Sequence, residues 1–143
     1  MQRRRFLTSC MALIASGATT GLYPSVASAE PLDYIPGLLD ARLAAGQTVF
    51  LEFTASWCTT CHAQQRVIQA LQKETPAYLN ELTFISVDWD RYGRSNLVRR
   101  LKVPRRSTLM ILKGEEEHGR IIAQTSRRKI KALLDRGLDV ARA

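Results

Sequence analysis

The chain has few cysteines and few aromatic residues, and each shortage argues against a class of protein. Three cysteines in 143 residues are too few for a small secreted fold held together by several disulfides. No second cysteine pair accompanies Cys58 and Cys61, and a zinc site would have only His62 and His118 as further ligands. Aromatic residues make up 7% of the chain and are not interleaved with the basic ones, so nucleic acid is not an expected partner.

Length and composition predict one globular domain. The 143 residues are 45% hydrophobic, which is enough for a single core, and no internal repeat or low-complexity tract interrupts them. The formal net charge is +8, and much of the excess lies in basic clusters around residues 99–106 and 127–131. Such clusters are usually solvated faces, and they can also steer acidic partner surfaces toward the protein.

The first 29 residues are predicted to be an export signal. Arg3–Arg5 supply a basic start, an apolar stretch follows, and Ala27–Ala29 form a small-residue cleavage site. The apolar stretch is too short and too often interrupted to span a membrane. Arg-Arg-x-Phe-Leu resembles the bacterial twin-arginine signal, which implies folding before export and a location in the periplasm. An ordinary secretory signal and a lipoprotein signal ending at Cys10 are the alternatives.

Cleavage after Ala29 would change both the charge and the cysteine content. Loss of Arg3–Arg5 leaves 18 basic and 13 acidic residues, a net charge of +5. Loss of Cys10 leaves Cys58 and Cys61 as the two cysteines of the mature chain. Two cysteines separated by two residues in an exported protein indicate a redox pair rather than a structural disulfide framework.

The segment 49–71 combines a strand, a turn and a helix around this pair. Strand-forming residues end in a small-residue turn, and apolar residues then recur at helical spacing. Cys58 and Cys61 therefore lie at the N-terminal end of a predicted helix. Free backbone N–H groups and the helix dipole favour negative charge there, so they lower the pKa of a thiol and make it a nucleophile.

The sequence FTASWCTTC, with Trp57 before the first cysteine and Glu52 in the preceding strand, resembles the active-site region of the thioredoxin superfamily. Within that superfamily it is most similar to secreted thioredoxin-like proteins and to the C-terminal domain of the thiol:disulfide interchange protein DsbD. The resemblance implies a thioredoxin fold over residues 30–143, an α/β fold with three α/β/α layers and a mixed central sheet. It also implies a thiol:disulfide oxidoreductase that needs no bound cofactor or metal. Its expected partners are protein thiols and disulfides, with a DsbD-type membrane electron donor.

We expect Cys58 to be the attacking thiol, because it is nearer the helix end and follows a turn that exposes it. Cys61 would then resolve the mixed disulfide. The resemblance assigns Glu52 as a buried base for Cys61, although strand alternation alone leaves open whether Glu52 points outward. Trp57 is expected to shield the thiols and contact partners, with a simple core aromatic as the alternative. The residues between the cysteines, Thr59 and Thr60, depart from the Gly-Pro of ordinary thioredoxins and would alter the redox potential.

A second departure concerns the cis-proline that thioredoxins carry before a Pro-Thr-Leu strand. Alignment on Thr108 and Leu109 puts Ser107 in the place of that proline, and Pro104 lies three residues earlier. We expect a trans bond before Ser107, because a cis bond there would cost about 3–4 kcal/mol. The alternative is a shifted loop with a cis bond before Pro104. In either case Arg105, Arg106 and Ser107 would border the site, and the two arginines would affect partner choice.

The pattern along the rest of the mature chain predicts alternating helices and strands. The expected order is a short linker at 30–36, a helix at 37–45, a strand at 48–53, a helix from 58 to before Pro76, a strand at 82–87, a turn at 89–93, a short helix at 95–101 capped by Ser95, a strand at 108–112, a tight acidic connection at 113–117, a hairpin strand at 120–124, and a terminal helix capped by Ser126. Arg66 replaces the proline that kinks the active-site helix of thioredoxins, so this helix is expected to run straighter.

Two other functions are compatible with the cysteine motif. Cys58 to His62 satisfy the Cys-x-x-Cys-His signature of c-type haem attachment, with Met110 as a candidate axial ligand. The preceding strand, the Trp57 context and the twin-arginine signal disfavour it. The second alternative is a binding module that keeps the thioredoxin fold and uses its thiols for metal delivery or partner docking.

Overall fold

The computed structural model describes residues 30–143. The predicted export signal, including Cys10, lies outside the described residues. Within 30–143, no helix is both long enough and apolar enough to cross a membrane.

Within the described residues, five strands form one sheet in the order β1-β3-β2-β4-β5. β3 is parallel to β1 and β2, whereas β4 is antiparallel to both β2 and β5. The mixed sheet predicted from the sequence is therefore confirmed. β2 is buried on both faces because it is central in the sheet and four of its seven residues are apolar. The strands are β1 Leu32–Asp33, β2 Thr48–Thr54, β3 Leu82–Asp88, β4 Thr108–Lys113 and β5 Glu116–Ile122.

Six helices accompany the sheet in the described part of the chain. They are α1 Leu38–Ala44, α2 Thr59–Glu74, α3 Ala77–Glu81, α4 Trp89–Tyr92, α5 Asn96–Arg100 and α6 Arg127–Arg142. The Ser95 hydroxyl caps α5 by accepting from the Val98 N–H, as predicted. Ser126 holds the expected position before α6, but its side chain makes no capping hydrogen bond. α2 continues without a break through Arg66.

Two separate hydrophobic cores lie on the two faces of the sheet. Phe50 of β2 faces a core that includes residues of α2, α3 and α6. Val49 and Leu51 point the other way, into a core that includes residues of α1 and α5 and is flanked by α4. Because consecutive strand residues point to opposite faces, one strand supplies both cores. The predicted three-layer α/β/α architecture is thus confirmed.

The structure differs from the sequence-based prediction at four elements. β1 lies in the segment predicted to be a linker, because its two residues are exposed and show no alternation. α3, which follows Pro76, was not predicted, and residues 89–92 form a short helix instead of a turn. The hairpin strand begins at Glu116 rather than Arg120. Its acidic start suggested a turn, yet charged residues are accommodated on an edge strand.

Candidate active site

The cysteine pair lies where β2 turns into α2. Cys58 is the N-cap residue of α2, in an extended conformation, and its Sγ accepts a hydrogen bond from the Cys61 N–H at 3.2 Å. A disulfide joins Cys58 to Cys61, with 5.2 Å between their Cα atoms. The helix N-terminus therefore directs one of its free N–H groups at Cys58 Sγ, which is the arrangement that stabilises a thiolate.

Both cysteines are more enclosed than the sequence suggested. Cys58 and Cys61 are each 2% exposed in the disulfide form, so the expectation that the turn exposes Cys58 was wrong. Ala55 packs with the pair in a small cluster, and the half-buried Trp89 lies against it. A partner can reach the sulfur of Cys58 only after the surrounding side chains move.

Ser107 contacts both sulfur atoms. Its Oγ lies 3.2 Å from the Sγ of Cys58 and 3.2 Å from the Sγ of Cys61. In the oxidised pair the sulfurs have no hydrogen to donate, so the hydroxyl is the donor. The sequence alignment correctly predicted that Ser107 borders the site.

The described residues contain no cis peptide bond, so the expected trans bond before Ser107 is confirmed and the alternative cis bond before Pro104 is wrong. Ser107 instead adopts a left-handed backbone with a φ of 64°. Its N–H donates to the Phe53 carbonyl at 2.7 Å, and its carbonyl accepts from the Ala123 N–H at 2.8 Å. These bonds hold a conformation that costs a non-glycine residue about 1–2 kcal/mol.

Gln64 also holds Ser107 in place through a hydrogen bond, and it was not predicted as a site residue. Its side-chain nitrogen donates to the carbonyls of Ser107 and Gln124, both at 3.0 Å, and the residue is 2% exposed. A signal was available, because Gln64 interrupts the helical stripe of Cys61, Ile68 and Leu71. A polar residue on a buried stripe needs hydrogen-bond partners inside the protein.

Glu52 is buried on the side of the sheet that carries α2. It is 5% exposed, so the alternative of an outward-facing side chain was wrong. Burial raises the pKa of its carboxyl from 4.5 to about 7, because the charged form loses solvation. Glu52 lines a cavity of about 230 Å³ together with Ser86 and the buried Gln72, whose Oε1 has no partner among the described residues.

Trp57 lies at the surface, so the alternative of a core aromatic was wrong. The side chain is 56% exposed, and its indole N–H donates to the Asp90 carboxylate at 2.9 and 3.1 Å. The guanidinium carbon of Arg106 lies 4.3 Å from the centre of a Trp57 ring. Arg106 thus stacks on Trp57 beside the disulfide, an interaction that sequence spacing did not indicate.

The residues between and after the cysteines form the first turn of α2. Thr59 is exposed and Thr60 is half-buried. His62 is exposed and lines a cavity of about 610 Å³ with Ser56 and Arg91, next to the disulfide. The predicted contact residues of this turn are thus accessible, although the sulfurs are not.

The structure does not favour haem attachment. Both cysteines are already used in the disulfide, whereas c-type attachment needs each sulfur for a thioether bond. Met110, the candidate axial ligand, is fully buried in the core on the sheet face opposite α2. It is a core residue of β4, as the strand pattern indicated.

Comparison with known proteins agrees with this geometry. The sequence model of the family described as Thioredoxin matches residues 38–136. The chain is 31% identical over 90 residues to Thioredoxin O1, mitochondrial, of Arabidopsis thaliana, covering 63% of this chain and 44% of that protein. It is 29% identical over 85 residues to Thioredoxin H2-1 of Oryza sativa subsp. japonica, covering 59% and 57%. The chain thus spans about half the length of these curated relatives.

Solved structures share the fold. Trxlp from Edwardsiella tarda matches with a TM-score of 0.62 and 25% identity, covering 73% of this chain and 98% of that one. A thioredoxin of Malassezia sympodialis matches with a TM-score of 0.59 and 19% identity, covering 76% and 95%. The narrower similarity to the C-terminal domain of DsbD is not confirmed by these matches. Because the family model spans more than half of the sequence and the fold and cysteine pair agree with it, the chain belongs to the thioredoxin family.

Proposed function

We propose that this chain is a thiol:disulfide oxidoreductase that exchanges disulfides with protein partners through Cys58 and Cys61. The observation that carries the proposal is the disulfide between these residues at the N-terminus of α2. Membership of the thioredoxin family supports the same activity. This chain spans only about half the length of the relatives named Thioredoxin, so the proposal concerns the chemistry of the described domain alone.

In the reduced protein, Cys58 is the proposed nucleophile. Its thiolate is stabilised by the Cys61 N–H and by the Ser107 hydroxyl, which lie 3.2 Å from the sulfur in the oxidised form. The thiolate attacks one sulfur of the partner disulfide, and the other partner sulfur leaves as a thiolate that takes up a proton. Cys61, once deprotonated, attacks the sulfur of Cys58 and releases the second partner thiolate.

The exchange moves two electrons and two protons from the cysteine pair to the partner, which leaves the pair as a disulfide. A dithiol donor must then restore the reduced pair, and in the reverse direction a disulfide oxidant would reoxidise it. We propose a membrane protein of the DsbD type as the donor. The exchange needs only thiolate attack on disulfide bonds and the transfer of protons, so no cofactor is part of the proposal.

Glu52 is the proposed proton acceptor for Cys61. The proposal is supported by the next residue in β2, Phe53, whose carbonyl lies 4.0 Å from the Cys61 Sγ. A carboxyl with a pKa of about 7 is half ionised near neutral pH, where a general base is most useful. The polar cavity beside Glu52 supplies a route by which its proton exchanges with solvent.

We further propose that partners contact Trp57, Thr59 and Thr60 along with Arg106 and Ser107. The first four are exposed or half-buried around the disulfide, and Ser107 touches both sulfurs. Partner binding would move the side chains packed against the cysteine pair, which include Ala55 and Trp89, and so give access to the enclosed Cys58.

Export to the bacterial periplasm through the twin-arginine route is also a proposal. It is supported by the arginines at 3–5 and by the small residues at 27–29, which precede the first described residue. An oxidising compartment is compatible with a chain that retains one reversible cysteine pair after cleavage.

The test is a trapping experiment with the matched variants Cys61→Ser and Cys58→Ser. If Cys58 attacks and Cys61 resolves, the reduced Cys61→Ser variant accumulates a mixed disulfide with a disulfide-containing protein such as insulin. The Cys58→Ser variant should accumulate little or none. Non-reducing electrophoresis and intact mass measure the adduct, and dithiothreitol should release it.

The 2% exposure of both cysteines favours one second candidate, a binding module whose disulfide does not turn over. In that case wild-type protein fails to gain two hydrogens in dithiothreitol or glutathione buffers of increasing reducing strength. Partner binding would also survive in the Cys61→Ser variant without a covalent adduct. This pair of results would contradict the oxidoreductase proposal.

A further inference from the structure

Arg106 carries a positive charge at the rim of the disulfide that the rest of the described chain leaves uncompensated. Arg106 forms no ion pair with any carboxylate of residues 30–143, and neither does its neighbour Arg105. The Arg106 Nε is buried and has no hydrogen-bond acceptor within the same residues. Arg106 as a whole is half-buried, so guanidinium donors other than the enclosed Nε can meet a carboxylate brought by a partner.

The guanidinium is held in place before any partner arrives. It lies 4.3 Å over a Trp57 ring, and the Trp57 indole is itself fixed by two contacts to the Asp90 carboxylate. Asp90 therefore interacts with the indole N–H and not with Arg106. Asp88, the other nearby acid, accepts from the Asp90 backbone N–H. Because the arginine is already ordered, a ligand that binds it loses little further side-chain entropy.

The position of Arg106 links this charge to the reacting sulfurs. Arg106 precedes Ser107, whose hydroxyl contacts both sulfurs, and it stacks on Trp57, which precedes Cys58. In the described residues the polar contacts of the sulfurs come from Ser107, the Cys61 N–H and the Phe53 carbonyl. Arg106 makes no polar contact with the sulfurs, so its charge is available to partner residues next to the partner's disulfide.

We propose that Arg106 is a specificity-determining residue that binds a carboxylate side chain next to the reacting cysteine of a polypeptide substrate. The inference rests on the proposed oxidoreductase function and adds the substrate class, namely disulfides flanked by Asp or Glu. A guanidinium can engage a carboxylate through two parallel hydrogen bonds, which a lysine ammonium cannot do.

The test uses disulfide-closed peptides that differ only in the residue beside one cysteine, which is Glu, Gln or Lys. Reduced protein, freed of dithiothreitol, is mixed with each peptide, and thiol trapping gives the second-order rate constant of one exchange. The two electrons and two protons of the Cys58 and Cys61 thiols pass to the peptide disulfide. The variants are Arg106→Gln, Arg106→Lys and the matched control Arg105→Gln, which loses the same charge from the neighbouring position.

We expect the wild-type protein to react about tenfold faster with the Glu peptide than with the Gln peptide, and slowest with the Lys peptide. In Arg106→Gln the ratio of Glu to Gln rates should fall to about one, whereas Arg105→Gln should keep most of it. Dividing the wild-type ratio by the ratio of each variant cancels the intrinsic reactivity of the peptides. Arg106→Lys should retain only part of the preference, because lysine keeps the positive charge but cannot form two parallel hydrogen bonds to a carboxylate.

Three results would overturn the inference. A wild-type protein that reacts equally with the Glu and Gln peptides shows no carboxylate preference, whether or not the variants fold. An equal loss of preference in Arg105→Gln and Arg106→Gln would show diffuse attraction instead of a site. Glutathione disulfide is tested in place of the peptides in the same assay. If only its rate constant depended on Arg106, the guanidinium would recognise the carboxylates of a small thiol compound and not a polypeptide side chain. If no peptide is reduced at all, the oxidoreductase proposal itself fails, which is a separate result.

Discussion

Replacement of Glu52 by glutamine should make the folded protein more stable above neutral pH. Glu52 is 5% exposed, and burial raises the pKa of its carboxyl from 4.5 to about 7. Below pH 4.5 the carboxyl is protonated in both the folded and the unfolded chain. Between pH 4.5 and 7 the folded chain keeps a proton that the unfolded chain has lost, so stability falls as the pH rises. Above pH 7 the cost of the buried charge is constant.

The size of the effect follows from the difference between the two pKa values. A difference of one in pKa corresponds to about 1.4 kcal/mol, so the rise from 4.5 to about 7 predicts a cost of about 3 kcal/mol above pH 7. A glutamine side chain is never charged, and it has a shape close to that of the protonated acid. The Glu52→Gln variant should therefore match the wild type near pH 4 and exceed it by up to about 3 kcal/mol near pH 8.

The assay is denaturant unfolding of the oxidised protein at a series of pH values, with the difference between variant and wild type taken at each. That difference cancels the titration of groups common to both proteins. Glu115→Gln is the matched control, because Glu115 lies exposed in the turn between β4 and β5 and its loss also removes one negative charge. A difference that is flat between about pH 4 and pH 8 would refute the assignment of Glu52 as a carboxyl with a raised pKa.

Two further predictions concern Ser107 and its support. Ser107→Ala removes the hydroxyl that lies 3.2 Å from the Cys58 sulfur, so the pKa of the Cys58 thiol should rise, as measured by the pH dependence of thiolate absorbance in the reduced protein. An unchanged titration would show that the hydroxyl does not bind the thiolate. Gln64→Met removes two hydrogen bonds to the Ser107 and Gln124 carbonyls and should lower the free energy of unfolding by about 1–3 kcal/mol. The control Gln69→Met, at an exposed position of the same helix, should change it little, and equal effects of the two substitutions would contradict the assigned role of Gln64.

The sequence predicted the regular parts of the fold because each carried a local pattern. The apolar residues of β2 and the helical spacing after Cys61 are both visible within a few residues. Ser95 was correctly identified as a helix cap because capping is also a local interaction. β1 and α3 were missed, since the first has two exposed residues and the second is a five-residue helix. Such short elements depend on contacts with the rest of the fold.

The candidate site was predicted in its residues but not in its contacts. Resemblance to the family identified Glu52, Cys58 and Cys61 by position, and the structure adds that all three are buried. The stacking of Arg106 on Trp57 joins residues nearly fifty positions apart, and nothing in either segment indicates it. Such interactions depend on how two loops pack together in the folded protein, so they cannot be predicted from sequence spacing.

The left-handed backbone of Ser107 limits how a partner segment can pair with this residue. The Ser107 N–H and carbonyl are both occupied inside the fold, by Phe53, Ala123 and Gln64. A partner segment therefore finds no free backbone group at Ser107 with which to pair. The residue before it, Arg106, carries a guanidinium already placed over Trp57. A site that offers a fixed cation beside the disulfide should discriminate among partners by charge.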